Sequence, residues 1–177
     1  MKVDMVLAVL VEAFTDDPLV RWLFPEPQER PDAQLGFYRA LLTHPGAEAD
    51  LAADGTGAAI WLTLAAAQAP YGGEGTGRLR ALGDALAQRH PDDEPHLYLP
   101  CMGVVGARQG SGVGSAMLRR RLARADADGL PVHLEASSAR SRALYLRHGF
   151  ADTGDPVRVA DSPPVWPMQR RPSGENR

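Results

Sequence analysis

A glycine-rich turn between a long apolar segment and an amphipathic segment is the feature that most constrains this chain. The turn, QGSGVG at residues 109–114, follows an apolar run that predicts a buried strand over 96–105 and precedes a helix predicted over 112–127. Glycines without side chains let an anion approach several backbone N–H groups, and the helix dipole adds to the attraction. The sequence therefore predicts a phosphate-binding turn.

Other interpretations of this turn are weaker. A Walker-type loop requires GxxxxGK followed by Ser or Thr, and the chain has no lysine after Lys2, which excludes it. A dinucleotide fingerprint requires GxGxxG; Gly110 and Gly112 fit, but Ser115 occupies the third glycine position, and such a turn normally follows the first strand. A tight turn that packs a helix closely and binds nothing remains the alternative.

The hydrophobic pattern predicts a chain that mixes helices and strands. Asp54-Gly55 between two apolar runs predicts a hairpin. The predicted helices cover residues 4–14, 19–24, 31–43, 78–89, 112–127 and 139–148, and the predicted strands cover 47–53, 56–64, 96–105, 131–135, 150–153 and 165–170. Helices, then a hairpin, then alternating strands and helices indicate an α+β or mixed α/β fold with a central mixed sheet.

Length and composition favour one domain over residues 1–177. Hydrophobic residues make up 44% and charged residues 23%, an ordinary globular balance. Cys101 is the only cysteine, so neither an internal disulfide nor a CxxC-type zinc site can form, and we expect no metal and a reducing compartment, the cytoplasm. Because no apolar stretch approaches the roughly 20 residues that span a bilayer, we expect no membrane contact.

Charge is distributed unevenly along the chain. Residues 1–100 carry 7 basic and 15 acidic side chains, whereas residues 101–150 carry 8 arginines and 3 acidic side chains. One interpretation of this asymmetry is that residues 101–150 bind an anion and residues 1–100 bind a cation. The alternative is that the charges only form a solvated surface. The basic segment is short, aromatic residues are not interleaved with it, and the pI is about 5.9, so we expect no nucleic-acid partner.

Two motifs together resemble one known family. The turn matches the pattern of glutamine or arginine, two residues, glycine, one residue, then glycine or alanine. A second motif, LYxxxGF, begins 35 residues after Gln109 with a predicted strand between them. The chain thereby resembles the GNAT superfamily of acyl-CoA-dependent acyltransferases over about residues 13–172, and it is similar to antibiotic-modifying members such as puromycin N-acetyltransferase.

The resemblance implies a mostly antiparallel sheet that splays between two strands and is flanked by helices, with acetyl-CoA as the acyl donor. It also implies that the strand through Met102 pairs by its backbone with the pantetheine arm, and that the Met102 N–H polarises the thioester carbonyl. The turn would hold the diphosphate with arginines as fork donors, among them Arg142. The cofactor-binding residues are then Met102, Gly103, Val104, Arg108, Gln109, Gly110, Ser111, Gly112, Val113, Gly114, Ser115, Ser138 and Arg140.

Acyl transfer to an amine needs an acid and a base. Tyr145 matches the family tyrosine near the CoA sulfur and is the candidate acid; an ordinary core position is its alternative role. Glu135, which ends the strand over 131–135, is the candidate base, and helix capping or an arginine ion pair is the alternative. His96 is a second candidate base, while Cys101 as an acylated nucleophile is disfavoured because no base adjoins it in sequence.

The acceptor is expected at the acidic N-terminal half, where aromatic walls and carboxylates would suit a cationic amine. The candidate contacts are Asp16, Asp17, Trp22, Phe24, Tyr38, His44, Tyr71 and His96. The leading hypothesis is acetyl transfer to the primary amine of a small molecule, such as an antibiotic or a biosynthetic intermediate. A non-catalytic acyl-CoA- or drug-binding module, O-acylation and longer acyl chains remain open, as does a homodimer.

Three features depart from the family pattern. Family chains usually begin with a strand, whereas a helix is predicted here almost from Met1. Gly106 replaces a frequent proline, and Ser138 and Ser141 stand where asparagine and alanine are usual. The shorter side chain of Ser138 weakens the expectation of one hydrogen bond to the cofactor.

Overall fold

Three helices come before the first strand. α1 (Lys2–Phe14) buries one apolar face, and α2 (Pro18–Leu23) begins at Asp17, whose carboxylate accepts a hydrogen bond from the backbone N–H of Val20 at 3.0 Å. α3 (Arg30–Leu42) completes the group. No helix in the described part of the chain is both long enough and apolar enough to cross a membrane.

The rest of the chain alternates strands and helices. The computed structural model describes residues 1–70, 75 and 77–174. The further elements are β1 (Ala47–Leu51), β2 (Gly57–Leu64), α4 (Gly77–Ala87), β3 (His96–Val104), a short 3-10 helix (Gly106–Arg108), α5 (Val113–Ala127), β4 (Val132–Ala136), α6 (Ala139–Arg147), β5 (Ala151–Asp152) and β6 (Trp166–Arg170). The predicted elements are confirmed, each with bounds within two residues of those observed.

The strands form one sheet in the order β1-β2-β3-β4-β6-β5, in which β3 and β4 are the parallel pair and the other neighbours are antiparallel. This confirms the mixed, mostly antiparallel sheet. Helices α1 and α3 bury Leu10 and Leu41 against one face of β2 and β3, and α5 packs Leu118 against the other face. Apolar burial on both faces is the main source of stability here.

The two central strands separate partway along their length. β3 and β4 pair at three positions, of which Leu99 with Leu134 is the last. At the same level β3 inserts an extra residue, because Leu99 and Pro100 together stand opposite Trp61 of β2. A bulge of this kind bends a strand, and proline has no N–H to donate to a ladder. β3 therefore turns away from β4 and opens the fork that the family resemblance implies.

Candidate active site

A cavity of about 850 Å³ reaches into this fork. The strands of the fork contribute Pro100, Cys101 and Met102 of β3 and Glu135 of β4 to its lining, and α6 contributes Tyr145. Its walls come from helices α2, α3 and α4 and are mostly apolar, with Phe24, Phe37, Leu79 and Leu82 among the lining side chains. The candidate base and the candidate acid thus line the same cavity.

The glycine-rich turn lies between β3 and α5. Gly110 and Gly112 have φ angles of 81° and 91°, a left-handed conformation that strains any residue with a Cβ atom. Gly112 is the N-cap of α5. The N–H groups of the first helical turn have no intrahelical acceptor, and no side chain of the described residues caps them. A turn with free donors at a helix N-terminus fits a phosphate group.

Arg140 is the arginine that lies against this turn. One of its guanidinium nitrogens, Nη1, donates to Gln109 Oε1 at 3.2 Å, and a Cβ atom added to Gly110 would lie 3.4 Å from Nη2. Arg108 instead pairs with Asp54 at 3.4 Å.

The remaining predicted cofactor residues lie around the turn or on β3. Ser111 is exposed, and Val113, Gly114 and Ser115 begin α5, where the Ser115 hydroxyl lies 2.6 Å from His148 Nε2. Met102, Gly103 and Val104 are half-buried on the stretch of β3 that lies beyond its pairing with β4.

Two other predicted cofactor contacts make hydrogen bonds or ion pairs within the protein. Ser138 caps α6 by accepting a hydrogen bond from the backbone N–H of Ser141 at 3.1 Å, in a reciprocal capping box. Arg142 forms an ion pair with Asp152. These contacts hold Ser138 and Arg142 to residues outside the glycine-rich turn.

Tyr145 and Cys101 are both buried beside the fork. Burial raises the pKa of Tyr145, with a smaller contribution from the Cys101 thiol, so the phenol stays protonated and has a proton to donate. Burial also raises the pKa of Cys101 to about 12, so its thiolate is scarce at neutral pH.

Glu135 is a buried carboxylate held by ring side chains, and it is 7% exposed. Tyr98 donates its hydroxyl to Oε2 at 2.6 Å, and His133 Nε2 lies 3.3 Å from Oε1. Burial alone would raise the pKa of Glu135, but hydrogen bonds from His133, His90 and Tyr98 outweigh it and lower the value to about 2. Glu135 is thus ionised at neutral pH, and among the residues that the structure describes it neither caps a helix nor pairs with an arginine.

The structure brings part of the predicted acceptor set to the cavity. Asp17, Phe24, Tyr38 and His44 line it. Asp17 is half-buried, and burial raises the pKa of its carboxyl group. Asp16 pairs at the surface with Arg21, and Tyr71 lies outside the described residues.

Trp22 and His96 lie elsewhere. Trp22 does not line the cavity. It packs in the apolar cluster with Leu82 and Leu86 of α4 and donates its indole N–H to Asp161 at 2.8 Å. His96 is 1% exposed and contacts His90 behind Glu135 rather than the cavity.

Sequence reasoning missed three of the groups that surround Glu135. Tyr98 and His133 lie on the two paired strands, and His90 follows α4. The spacing of His133 and Glu135, two residues apart on one strand, puts both side chains on one face and could have signalled the pair. Nothing local in the sequence marks His90, which is 45 residues from Glu135.

Comparisons with known proteins agree with this geometry. Residues 12–150 match the acetyltransferase (GNAT) family. A crystal structure from Corynebacterium glutamicum, described as histone acetyltransferase HPA2 and related acetyltransferase, is 27% identical with a TM-score of 0.71, over 98% of this chain and 93% of that one. Arylalkylamine N-acetyltransferase 2 from Aedes aegypti shares the fold at 14% identity and a TM-score of 0.66, over 96% and 94% of the two chains.

Proposed function

Because this chain belongs to the acetyltransferase (GNAT) family, we propose that it transfers an acetyl group from acetyl-CoA to the primary amine of a small molecule. The observation that carries this proposal is the pairing of an ionised carboxylate, Glu135, with a protonated phenol, Tyr145, on one cavity at the fork. Transfer to an amine requires one group that takes a proton and one that gives a proton.

The residues present fit coenzyme A. The N–H groups at the start of α5 and the Arg140 guanidinium would hold the diphosphate, and the β3 edge over residues 100–104, which β4 leaves unpaired, offers backbone groups to an amide-bearing chain. When bound, acetyl-CoA supplies the acyl group as a thioester. The backbone N–H of Met102 is the proposed donor to the thioester carbonyl oxygen.

The two titratable groups then act in sequence. Glu135 accepts a proton from the amine, directly or through a water molecule, so that the nitrogen can attack with its lone pair. Tyr145 donates its phenolic proton to the departing thiolate. This assignment makes the transfer direct, without an acylated Cys101.

The cavity supports an acceptor that is largely apolar with one cationic centre. Its walls are mostly aromatic and aliphatic, and the carboxylates among its described lining residues are Asp17, Asp84 and Glu135. A polycationic amine would have to bury several charges against apolar side chains, which is costly. An apolar antibiotic or biosynthetic amine fits this description, which is consistent with the proposed likeness to antibiotic-modifying members.

Thiol release measured across a panel of amines tests the proposal, with CoA binding followed separately by calorimetry. We expect CoA to bind and apolar primary amines to be turned over faster than polycationic amines or alcohols. CoA binding without thiol release from any acceptor would favour a non-catalytic acyl-CoA-binding module. If alcohols were acylated faster than amines, the acceptor would be an oxygen nucleophile and the proposed amine substrate would be wrong.

Substitution of Gly112 by alanine tests the turn. The left-handed φ of 91° costs a residue with a Cβ atom roughly 1–2 kcal/mol, and relieving that strain would turn the N–H groups away from the phosphates. We expect the KM for acetyl-CoA to rise about 10-fold, the equivalent of about 1.4 kcal/mol, with a smaller change in kcat. Gly129→Ala is the matched control, because Gly129 has a φ of 65° in a turn after α5. An equal rise in KM in both variants would contradict the assignment.

Substitution of Asp17 by asparagine tests the acceptor end. Asparagine preserves the cap of α2 but removes the negative charge, so we expect the KM for amines to rise several-fold while CoA affinity is unchanged. Because burial raises the pKa of Asp17 above 3.8, the folded state loses stability as the carboxyl ionises with rising pH. The melting temperature of the variant should therefore increase relative to the wild type between pH 3 and pH 7. Asp16→Asn, at the exposed neighbouring position, should change neither quantity.

A further inference from the structure

Two histidines beside Glu135 form, together with it, a cluster of atoms that can bind a metal ion. His90, His133 and Glu135 each offer one such atom, and these atoms lie within 4.8 Å of one another. His90 follows α4, and the other two side chains lie on β4. Two imidazole nitrogens and one glutamate oxygen are a set of ligands that zinc accepts in proteins. A site of this kind needs no cysteine, so the cysteine count of the chain gave no sign of it.

The distances within the cluster suit an ion better than direct hydrogen bonds. His133 Nε2 lies 3.3 Å from Glu135 Oε1, and His90 Nδ1 lies 4.0 Å from the same oxygen. An ordinary N–H···O hydrogen bond is about 2.7–3.2 Å long. Two ligands at about 2.0–2.1 Å from a tetrahedral zinc ion lie about 3.3 Å apart. The spacing of His133 and Glu135 already matches this value, and His90 would have to move inward by roughly 1 Å.

Burial makes the cluster unusual. The side chains of His90, His133 and Glu135 are 4%, 1% and 7% exposed. Buried polar atoms normally have a partner at an ordinary hydrogen-bond distance, and an exception calls for an explanation. The long contact between His90 and Glu135 is such an exception. A dication bound between them would satisfy both atoms, and the carboxylate would offset one of its two charges.

Metal binding does not depend on which ring nitrogens carry hydrogens in the free protein. An imidazole binds a metal in its neutral form, and a hydrogen on the binding nitrogen is displaced as the metal binds. When His90 binds through Nδ1, its ring hydrogen is on Nε2, which lies 2.8 Å from His96 Nε2. His96 is 1% exposed, and its Nδ1 lies 2.9 Å from the Glu94 carbonyl oxygen, so His96 can hold the His90 ring as an outer partner.

Tyr98 orients the third ligand. Its hydroxyl donates to Glu135 Oε2 at 2.6 Å, while the two histidines contact the other oxygen, Oε1. A hydrogen bond of this kind to a ligating carboxylate is typical of metal sites. Glu135 also lines the cavity, which gives an ion a path into the cluster.

We propose that His90, His133 and Glu135 bind a divalent transition-metal ion such as Zn²⁺, and that the bound ion inhibits acetyl transfer. The inhibition rests on the proposed function, because an Oε1 atom that coordinates a dication cannot accept the proton of the amine. The inhibition is reversible, since removal of the ion restores the base. The glycine-rich turn and Tyr145 supply no ligand, so CoA binding is unaffected.

Cobalt spectroscopy tests the site in the wild-type protein without any turnover. When metal-free protein is titrated with Co²⁺ at neutral pH, we expect visible absorption that saturates at one ion per chain and disappears when one equivalent of Zn²⁺ is added. On Zn²⁺ binding, the ring ¹⁵N signals of His90 and His133 should change and those of His44 and His148 should not. Failure to bind either metal, or binding that leaves the His90 and His133 signals unchanged, would overturn the proposal.

Single substitutions identify the ligands. We expect His96→Leu, which removes the outer partner, to weaken Zn²⁺ binding by about 10- to 100-fold, and His90→Gln or His133→Gln to weaken it further. His148→Gln is the matched control, because His148 lies against Ser115 of α5, and it should bind Zn²⁺ as the wild type does. Near-UV circular dichroism checks that each variant is folded. Wild-type affinity in a folded His90→Gln protein would contradict the ligand assignment.

Kinetics test the inhibition. We expect Zn²⁺ to lower kcat by about 10²-fold or more, the effect of losing a general base, at the concentrations that saturate the site. EDTA should restore the rate, and calorimetry should show unchanged CoA affinity. Mg²⁺, which disfavours nitrogen ligands, is the control and should have no effect. Full activity of the zinc-loaded enzyme would overturn the inhibitory role. If the wild type acylates no amine, the proposed function fails, and the cobalt and NMR experiments still decide whether the site binds a metal.

Discussion

Glu135→Gln is expected to reduce kcat/KM for the amine by about 10²–10⁴-fold, the range associated with a general base. Glutamine has nearly the same shape but cannot accept the amine proton, and its amide would also face two donors, Tyr98 and His133. Steady-state kinetics at saturating acetyl-CoA measure the effect, and calorimetry should show unchanged CoA affinity.

Tyr98→Phe provides the control for the surroundings of this carboxylate. It removes one hydrogen bond to Glu135 but leaves the base in place, so its loss in kcat/KM should be far smaller. An Glu135→Gln enzyme with activity within a few-fold of wild type would eliminate Glu135 as the base.

Tyr145→Phe is expected to lower kcat by about 10²-fold or more while acetyl-CoA and the amine bind as before. The substitution removes only the hydroxyl group of a buried side chain, and burial raises the pKa of that hydroxyl so that it stays protonated. Without it, the thiolate would have to leave with no proton donor beside it. Steady-state kinetics measure kcat, and calorimetry measures CoA affinity.

Phe150→Leu separates acid chemistry from packing at this position. The Phe150 ring lies edge-on to Tyr145 with the ring centres 5.7 Å apart. The leucine variant keeps the phenol, so it should lose stability and retain most of its turnover. If both variants lost turnover equally, Tyr145 would be a packing residue.

The sequence was sufficient to predict the helices, strands and turns whose conformation depends on neighbouring residues. Asp54-Gly55 marked the hairpin because glycine tolerates the φ of 72° observed there, and the glycines after β3 marked the turn for the same reason. Apolar periodicity located each α-helix and strand of the described residues to within two residues, but it did not predict the short 3-10 helix over Gly106–Arg108. The fork required a further element, the bulge at Leu99 and Pro100, which depends on the pairing of β3 with β2 and has no local signature beyond the proline.

The surroundings of the site depended on contacts between distant segments. Glu135 was proposed from its place at a strand end, but its low pKa comes from His133, His90 and Tyr98, which only the tertiary fold brings together. Trp22 shows the opposite case. An aromatic residue on a short helix next to lining residues was a reasonable candidate, but the six-residue α2 gave no pattern to say which of its faces meets the cavity.

The short parallel ladder between β3 and β4 has a mechanical consequence. The six strands form five neighbouring pairs. At the centre of the sheet, β3 and β4 pair at three positions, the last of which joins Leu99 and Leu134. A pantetheine chain that hydrogen-bonded to the unpaired edge of β3 would add backbone hydrogen bonds where β3 and β4 have separated. Binding of the donor substrate would then make the two halves of the sheet more rigid relative to each other. The gap between β3 and β4 would be most flexible before the donor binds.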